Sequence, residues 1–284
     1  MARILVTGAR GMLGSQLCPQ LRECGHEVIE WDLPEFDVTD VNRAIRGAVE
    51  LRPSMIFHLA AYTDVDRAEE ERALAYKVNT MGTWTMAIAA RDSGATLIYL
   101  STDYVFDGEK RSPYVEADPP HPINYYGLTK LLGEQAVERY LRHYFICRTS
   151  WLFGAGGRNF VDTILTLARE RDRLDVVNDQ AGSPTWTDDL SRALCQLAGS
   201  QQYGVYHITN SDVCTWFEFA REILLQAGLD VPLFPTTQEK YVRPARRPSY
   251  SVLDNSRFQA TFGIVLPSWK EALRGYLTNM GVVK

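Results

Sequence analysis

Short strand-like runs alternate with stretches of helical period through the first half of the chain. The runs are Ile4–Thr7, Glu27–Trp31, Met55–Leu59, Thr96–Thr102 and Tyr144–Thr149. Between them lie Ser15–Leu21, the amphipathic Val41–Leu51, a long helical stretch from Ala68 to Ser93 that carries Asn79, and a helix bearing Tyr126. Strand and helix in strict alternation predict a parallel sheet flanked by helices. Beyond Trp151 the period becomes mixed. Phe160–Arg171, Asp188–Leu197 and Trp216–Ala227 read as helices, Asp175–Val177 as a short strand, and Gly204–Ile208 as a strand able to return to the main sheet. The basic, proline-bounded Val242–Pro248 reads as an ordered loop.

The first strand runs into Gly8-Ala9-Arg10-Gly11-Met12-Leu13-Gly14 and then into helix. Strand, glycine turn and helix in that order are what a dinucleotide site needs. Gly8 permits the tight turn, Gly11 lets the backbone approach a pyrophosphate, and Gly14 allows helix and strand to pack closely. The helix N-terminus offers its free N–H groups to the anion. Glycines that only make turns are the plainer reading, but the second strand ends in Asp32, where a ribose-binding acid belongs. The fold class expected is therefore α/β, a Rossmann-type doubly wound parallel sheet. It covers residues 1–150, with 187–212 returning to it. A smaller, interwoven lobe from 151–186 and 213–284 would bind the substrate.

The chain of 284 residues can hold one sizeable core or a main domain with a smaller companion. A net charge of −5 argues against a nucleic-acid surface, which would carry a basic stripe. No apolar run approaches a membrane span, and the first is too short for a signal peptide, so no membrane association is expected. Five cysteines without C-x-x-C spacing and five dispersed histidines support neither a disulfide framework nor a metal site. A cytoplasmic, reduced enzyme is expected.

Chemistry enters with Tyr126 and Lys130, four apart, downstream of the strand ending at Thr102. A phenol titrates near ~10, and one helical turn sets the lysine on the tyrosine's face, where its charge would favour phenolate and lower that value. The Thr102 hydroxyl could hold a carbonyl oxygen while the tyrosine donates its proton. Alone, Tyr-x-x-x-Lys is a weak pattern on a solvated helix; the dinucleotide turn upstream gives it weight.

Together the glycine turn, Asp32, Thr102 and the Tyr126/Lys130 pair resemble the extended short-chain dehydrogenase/reductase family. Ser101-Thr102-Asp103-Tyr104-Val105-Phe106, Arg148-Thr149-Ser150-Trp151 and Ala245-Arg246-Arg247-Pro248 are similar, within it, to the dTDP-4-dehydrorhamnose reductases. This resemblance runs over nearly the whole chain. It implies reduction of the 4-keto group of dTDP-4-dehydro-L-rhamnose by NADH or NADPH, giving dTDP-L-rhamnose. It also implies roles for individual residues. Gly11, Met12 and Leu13 would lie on the pyrophosphate, Asp32 on the adenosine ribose, and Asp37 and Val38 near the adenine. Ala61, Tyr62, Thr63 and Leu100 would line the cofactor, with Tyr62 standing where relatives often have histidine. Thr102 and Asp103 would face the sugar and Trp151 would pack on it. Tyr126 would donate the proton, and Lys130 would hold the nicotinamide ribose and tune Tyr126. A homodimer is compatible with the resemblance, although the chain ends at Lys284 without the acidic residue on which some relatives bridge a dimer through metal.

Other readings share this fold. They are a reductase or epimerase of another nucleotide-linked keto sugar, and a non-catalytic regulatory subunit. Dehydratases of the superfamily carry an acid pair beside the catalytic Thr or Ser, whereas here Thr102 is followed by one acid and then Tyr104. A subunit without chemistry has no need of Thr102, Tyr126 and Lys130 together. At single positions the plain alternatives stand. Trp151 could be a core aromatic, and Asp64, Asp66 and Glu69–Glu71 a solvated helix start rather than a metal site. Arg246 and Arg247 could clamp a diphosphate or only hold their loop. Asp32 favours NADH by repelling a 2′-phosphate, which Arg10 could shield.

Overall fold

The computed structural model describes residues 1–283. Its central sheet has six strands: β1 (Arg3–Thr7), β2 (Glu27–Trp31), β3 (Met55–His58), β4 (Thr96–Thr102), β5 (Tyr144–Thr149) and β6 (Gly204–His207). Every pairing is parallel, in the spatial order β6-β5-β4-β3-β1-β2. The order reverses between β1 and β3, so a crevice opens at the carboxyl ends of those two strands.

Parallel strands are covered on both faces, which requires apolar side chains pointing both ways. Ile4, Leu5 and Val6 in β1, and Leu97, Ile98 and Tyr99 in β4, are fully buried. The α-helices of seven or more residues are α1 (Gly14–Glu23), α2 (Val41–Leu51), α3 (Thr83–Ser93), α4 (Tyr125–Tyr140), α5 (Phe160–Glu170), α6 (Thr187–Cys195), α7 (Trp216–Ala227), α8 (Ser256–Phe262) and α9 (Trp269–Asn279). On one face of the sheet, α1 and α6 bury Leu17, Leu21, Leu190 and Leu194. On the other, α2, α3 and α4 bury Ala44, Ala48, Ala87, Ala90 and Val137, small side chains that let the helices approach closely.

The long helix expected over Ala68–Ser93 is interrupted. Two short turns, Arg67–Glu70 and Arg72–Ala75, lead into a π-helical segment, Tyr76–Gly82, and only then into α3. Glu71 between the turns leaves helical geometry (φ −95°, ψ 44°), and its carboxylate takes the Tyr62 hydroxyl and the Arg67 guanidinium. The wider π winding carries Asn79, whose side chain accepts from Tyr62 N at 2.7 Å and donates to Tyr62 O at 3.0 Å. The helical period is sacrificed to hold the loop after β3.

The rest of the chain builds a second core in which Phe153, from the short strand Leu152–Phe153, meets Ile164 and Leu165 of α5, Phe219 and Ile223 of α7, and Leu273 and Leu277 of α9. Helices α7 and α9 both start at capping boxes, Thr215 with Glu218 and Ser268 with Glu271. Between these segments the chain returns to the sheet. Helix α6 is tied to α1 by a 2.7 Å hydrogen bond from Gln20 to Asp188, and β6 pairs with β5. Among the described residues no helix is long and apolar enough to cross a membrane, and no three His, Cys, Asp or Glu side chains are grouped to hold a metal.

Candidate active site

A cleft of about 870 Å³ lies at the carboxyl ends of β1, β3 and β4, walled on its far side by Trp151 and Trp216. At one end stands the glycine turn. Gly8 has φ +70°, and a Cβ there would sit 2.7 Å from Ala60 N. A Cβ on Gly14 would come within 2.3 Å of Gly8 O, so the helix start can lie against the end of the strand only because Gly14 has no side chain. At Gly11 the one near neighbour of an added Cβ is Gly8 O at 3.2 Å, so its other side opens to the cleft. No side chain caps α1, and since Ser15 N and Gln16 N already donate to Gly11 O and Leu13 O, the N–H groups left to the cleft are those of Met12, Leu13 and Gly14 at the helix start. Such a cradle fits a dinucleotide pyrophosphate.

Asp32 closes that end. Its carboxylate accepts from Arg10 N at 2.7 Å and from Leu33 N at 2.8 Å, which fixes the turn against β2. The Arg10 guanidinium pairs with Glu35 at 2.8 Å and donates to Leu33 O, with both charged side chains more than half exposed. Trp31 and Phe36, stacked with centroids 3.6 Å apart, continue the wall beside Asp37 and Val38.

The reactive groups converge at the middle of the cleft. Asn124 caps α4, accepting from Gly127 N at 2.8 Å, and α4 can lie close to Tyr104 because Gly127 has no Cβ to strike the Tyr104 carbonyl. That seating brings Tyr126 beside Thr102 and Asp103. Burial pushes the Tyr126 phenol above its ordinary value of 10; the Asp103 carboxylate adds to the rise, while the Thr102 hydroxyl and Arg247 guanidinium oppose it. Asp103 itself is pushed up to about 7 by burial. Its Oδ1 accepts from Thr102 at 3.0 Å, whereas Oδ2 has no well-formed hydrogen bond, Ser251 being the nearby hydroxyl that favours its charged form.

Lys130 is almost wholly buried. Its Nζ donates to Leu100 O at 2.7 Å and stands 4.2 Å from the centre of the Tyr99 ring. Burial presses the amine down to about 7, with Glu134 opposing. Beneath it, Arg148 grips Glu134 at 2.6 and 3.0 Å, and Ser101 donates to the same carboxylate.

These features have counterparts in known proteins. The profile of the RmlD substrate binding domain family matches residues 2–282. The chain belongs to this family. It is 46% identical to a dTDP-4-dehydrorhamnose reductase of Streptomyces griseus, over 95% of this chain and 91% of the relative. It is 41% identical to the spore coat polysaccharide biosynthesis protein SpsK of Bacillus subtilis, over 98% and 97% of the two chains. A crystal structure of dTDP-4-dehydrorhamnose reductase from Bacillus anthracis in complex with NADP superposes with a TM-score of 0.95 at 41% identity, covering 98% and 99%.

In this RmlD-family chain the cleft gathers nearly all of the residues singled out from sequence. Gly8, Gly11, Met12, Leu13, Gly14, Asp32, Asp37, Val38, Ala61, Thr63, Leu100, Thr102, Asp103, Tyr126, Lys130 and Trp151 all line it. Tyr62 does not. Its hydroxyl turns away to Glu71 at 2.6 Å, and only its backbone, pinned by Asn79, serves the site. A second expectation is reversed. Lys130 was to hold the phenol low, but its amine is committed to Leu100 O and carries its charge only part of the time near neutral pH, so burial decides the Tyr126 value. Trp151, held at φ +47°, does both: it packs on the edge of the second core and lines the cleft, with Trp216 stacked on it. Trp216, Phe36 and Asn79 were not singled out as site residues: the first comes from the distant lobe, the second lines the cleft only through its stacking on Trp31, and a π turn hides the third. Arg247 meets Asp66 at 3.0 Å and leans over the Tyr104 ring, and Arg243 shares the same carboxylate oxygen, so this loop is held by pairing.

Proposed function

We propose that this protein reduces the 4-keto group of dTDP-4-dehydro-L-rhamnose to dTDP-L-rhamnose with NADH or NADPH. The observation that carries this reading is the meeting of Thr102, Asp103 and Tyr126 in the cleft that the glycine turn opens. The names of the relatives at 46% identity and of the NADP-bound structure point to the same reaction. Residues 1–150 with 187–212 hold the dinucleotide in this scheme, and 151–186 with 213–284 hold the nucleotide sugar. A homodimer is compatible with it.

The dinucleotide would rest on Gly11–Leu13, with Asp32 toward its adenosine ribose and Lys130 toward its nicotinamide ribose. Bound there, the reduced nicotinamide supplies the hydride. The protein's own part is proton delivery and orientation. Thr102 and Tyr126 take the substrate carbonyl oxygen between their hydroxyls. A phenol raised by burial stays protonated throughout the neutral range, so Tyr126 enters each turnover as an acid and recovers a proton readily after giving it up. Asp103 Oδ2, lacking a well-formed hydrogen bond within the protein, accepts from a sugar hydroxyl. Trp151 and Trp216 offer a flat apolar wall to the pyranose.

The test is to follow NADH and NADPH absorbance with dTDP-4-dehydro-L-rhamnose and to identify the product sugar by NMR. Oxidation of cofactor with formation of dTDP-L-rhamnose is expected. Cofactor binding without turnover on this or another dTDP-linked 4-keto sugar would overturn the reading.

A further inference from the structure

Three cationic side chains line the cleft: Arg10, Lys130 and Arg158. Arg10 is taken up by Glu35 and Leu33 O, and Lys130 by Leu100 O. Arg158 is exposed and meets neither a carboxylate nor a carbonyl among the described residues. It ends a loop, Gly154–Arg158, that joins the short strand Leu152–Phe153 to α5. Both ends of this loop are fixed. Gly154 lies against the start of α6, where an added Cβ would come 2.0 Å from Thr187 Oγ1. The buried Asn159 caps α5 by accepting from Asp162 N at 3.0 Å, and its amide donates to Gly154 O at 2.9 Å, closing the loop on itself. Between these anchors the backbone packs on the glycine turn and the start of α1. A Cβ on Gly156, which has φ +84°, would be 3.3 Å from Ser15 Oγ, and one on Gly157 would be 3.0 Å from Met12 Cβ. Arg158 follows directly on these contacts.

We infer that Arg158 binds the pyrophosphate of the dinucleotide, carried to the glycine turn by a loop from the substrate-binding part of the chain. This rests on the reductase reading only in that a dinucleotide occupies the cleft. The turn itself offers N–H groups and the partial charge of a helix end, but no full positive charge. A guanidinium supplies that charge together with a forked pair of donors matched to phosphate oxygens. The diphosphate of the sugar nucleotide is the competing anion. The loop makes its contacts at Met12 and Ser15, the cofactor end of the cleft, and this favours the dinucleotide. Cofactor affinity then draws on both parts of the chain.

The experiment measures the affinities of NADPH, ADP-ribose and dTDP by calorimetry in wild type, Arg158→Gln and Arg158→Lys. Arg158→Gln should weaken NADPH and ADP-ribose alike by about tenfold, the scale of one lost charge-assisted hydrogen bond. That deficit should shrink as ionic strength rises from about 0.05 to about 0.5 M, because an exposed pair is screened. Arg158→Lys, which keeps the charge and loses the fork, should fall between wild type and Arg158→Gln. Affinity for dTDP should be unchanged, and thermal melts should match wild type. Wild-type affinities in Arg158→Gln at low salt would overturn the inference. So would a loss for NADPH without one for ADP-ribose, which would put the guanidinium on the 2′-phosphate or the nicotinamide half, or a loss confined to dTDP, which would give it to the sugar nucleotide. Failure of the reductase reading is separate: wild type would then leave the keto sugar unreduced, while the binding titrations, which need no turnover, would still report on Arg158.

Discussion

Trp151 and Trp216 lie face to face, ring centroids 3.6 Å apart and planes 8° from parallel, at the wall of the cleft opposite the glycine turn. The pair is held from behind by Gly182, where an added Cβ would come 2.5 Å from the Trp151 ring. Trp216 is fixed in turn by a 3.1 Å hydrogen bond from its indole N–H to Gln180. Gly182→Ala must push the Trp151 ring into the cleft. Titration with dTDP-L-rhamnose should show affinity weakened by about tenfold, the scale of a lost aromatic contact. NADPH affinity should stay within about twofold, because the dinucleotide end is untouched. Equal losses for both ligands would mean that the tryptophans do not face the sugar.

Tyr126→Phe removes the acid and keeps the ring. Turnover should drop by ~10²–10⁴-fold, the usual worth of a positioned proton donor. NADPH binding, read by fluorescence, should be nearly unchanged. Near wild-type turnover would remove Tyr126 from the proton path.

Cofactor choice should respond to Glu35. Its pair with Arg10 is exposed and screened by solvent, so it restrains the guanidinium only weakly. Freeing Arg10 by Glu35→Gln should raise the NADPH/NADH ratio of kcat/KM by a few-fold, on the order of what a weak exposed ion pair can withhold. Asp32→Ala is a less clean test, since it also strips the acceptor from Arg10 N and Leu33 N and loosens the turn. An unchanged ratio in Glu35→Gln would place the 2′-phosphate away from Arg10.

Two buried groups in the site titrate about 7 and should shape stability against pH in opposite ways. Lys130 falls from 10.5 on folding, so the unfolded chain binds more protons between about 7 and 10.5, and stability rises with pH across that window. Asp103 rises from 3.8, so the folded chain binds more protons between about 3.8 and 7, and stability falls with pH there. Lys130→Met should therefore be more stable than wild type at pH 7, by on the order of a few kcal/mol, with the gap closing toward pH 10. Asp103→Asn should gain stability above pH 7 and lose the gain toward pH 4. Thermal melts across pH 4–10 check both signs; parallel curves for wild type and Lys130→Met would show that the amine is not desolvated.

Much of this was legible in the sequence, for local reasons. Parallel strands are apolar on both faces, so the runs ending at Thr7, Trp31, Thr102 and Thr149 stand out, and Gly14 is forced by backbone contacts with Gly8 and Ala9 a few residues away, although Gly8 answers to the distant Ala60. What was missed depends on distant neighbours. The Ala68–Ser93 stretch has helical period throughout, yet Tyr62 and Asn79 bend it through contacts that no period reveals. The sign of the Tyr126 shift follows from burial, and spacing to Lys130 says nothing about burial. The helix Trp269–Asn279 had a readable signal in Ser268-Trp269-Lys270-Glu271, whose capping box is formed.

The return of β6 to the sheet has a mechanical consequence. Chain leaves the sheet after Thr149, comes back through α6 and β6, departs again at Cys214, and re-enters once more where Phe258 of α8 packs against the β6 side. The two walls of the cleft are therefore stitched together by several separate crossings instead of one tether. Any opening or closing must flex all of those threads in concert, which favours small, guided excursions over a wide swing. For the same reason a protease that severs a single crossing should leave a nicked molecule whose pieces stay together, and expressing residues 1–150 alone would leave β5 with a bare edge where β6 belongs.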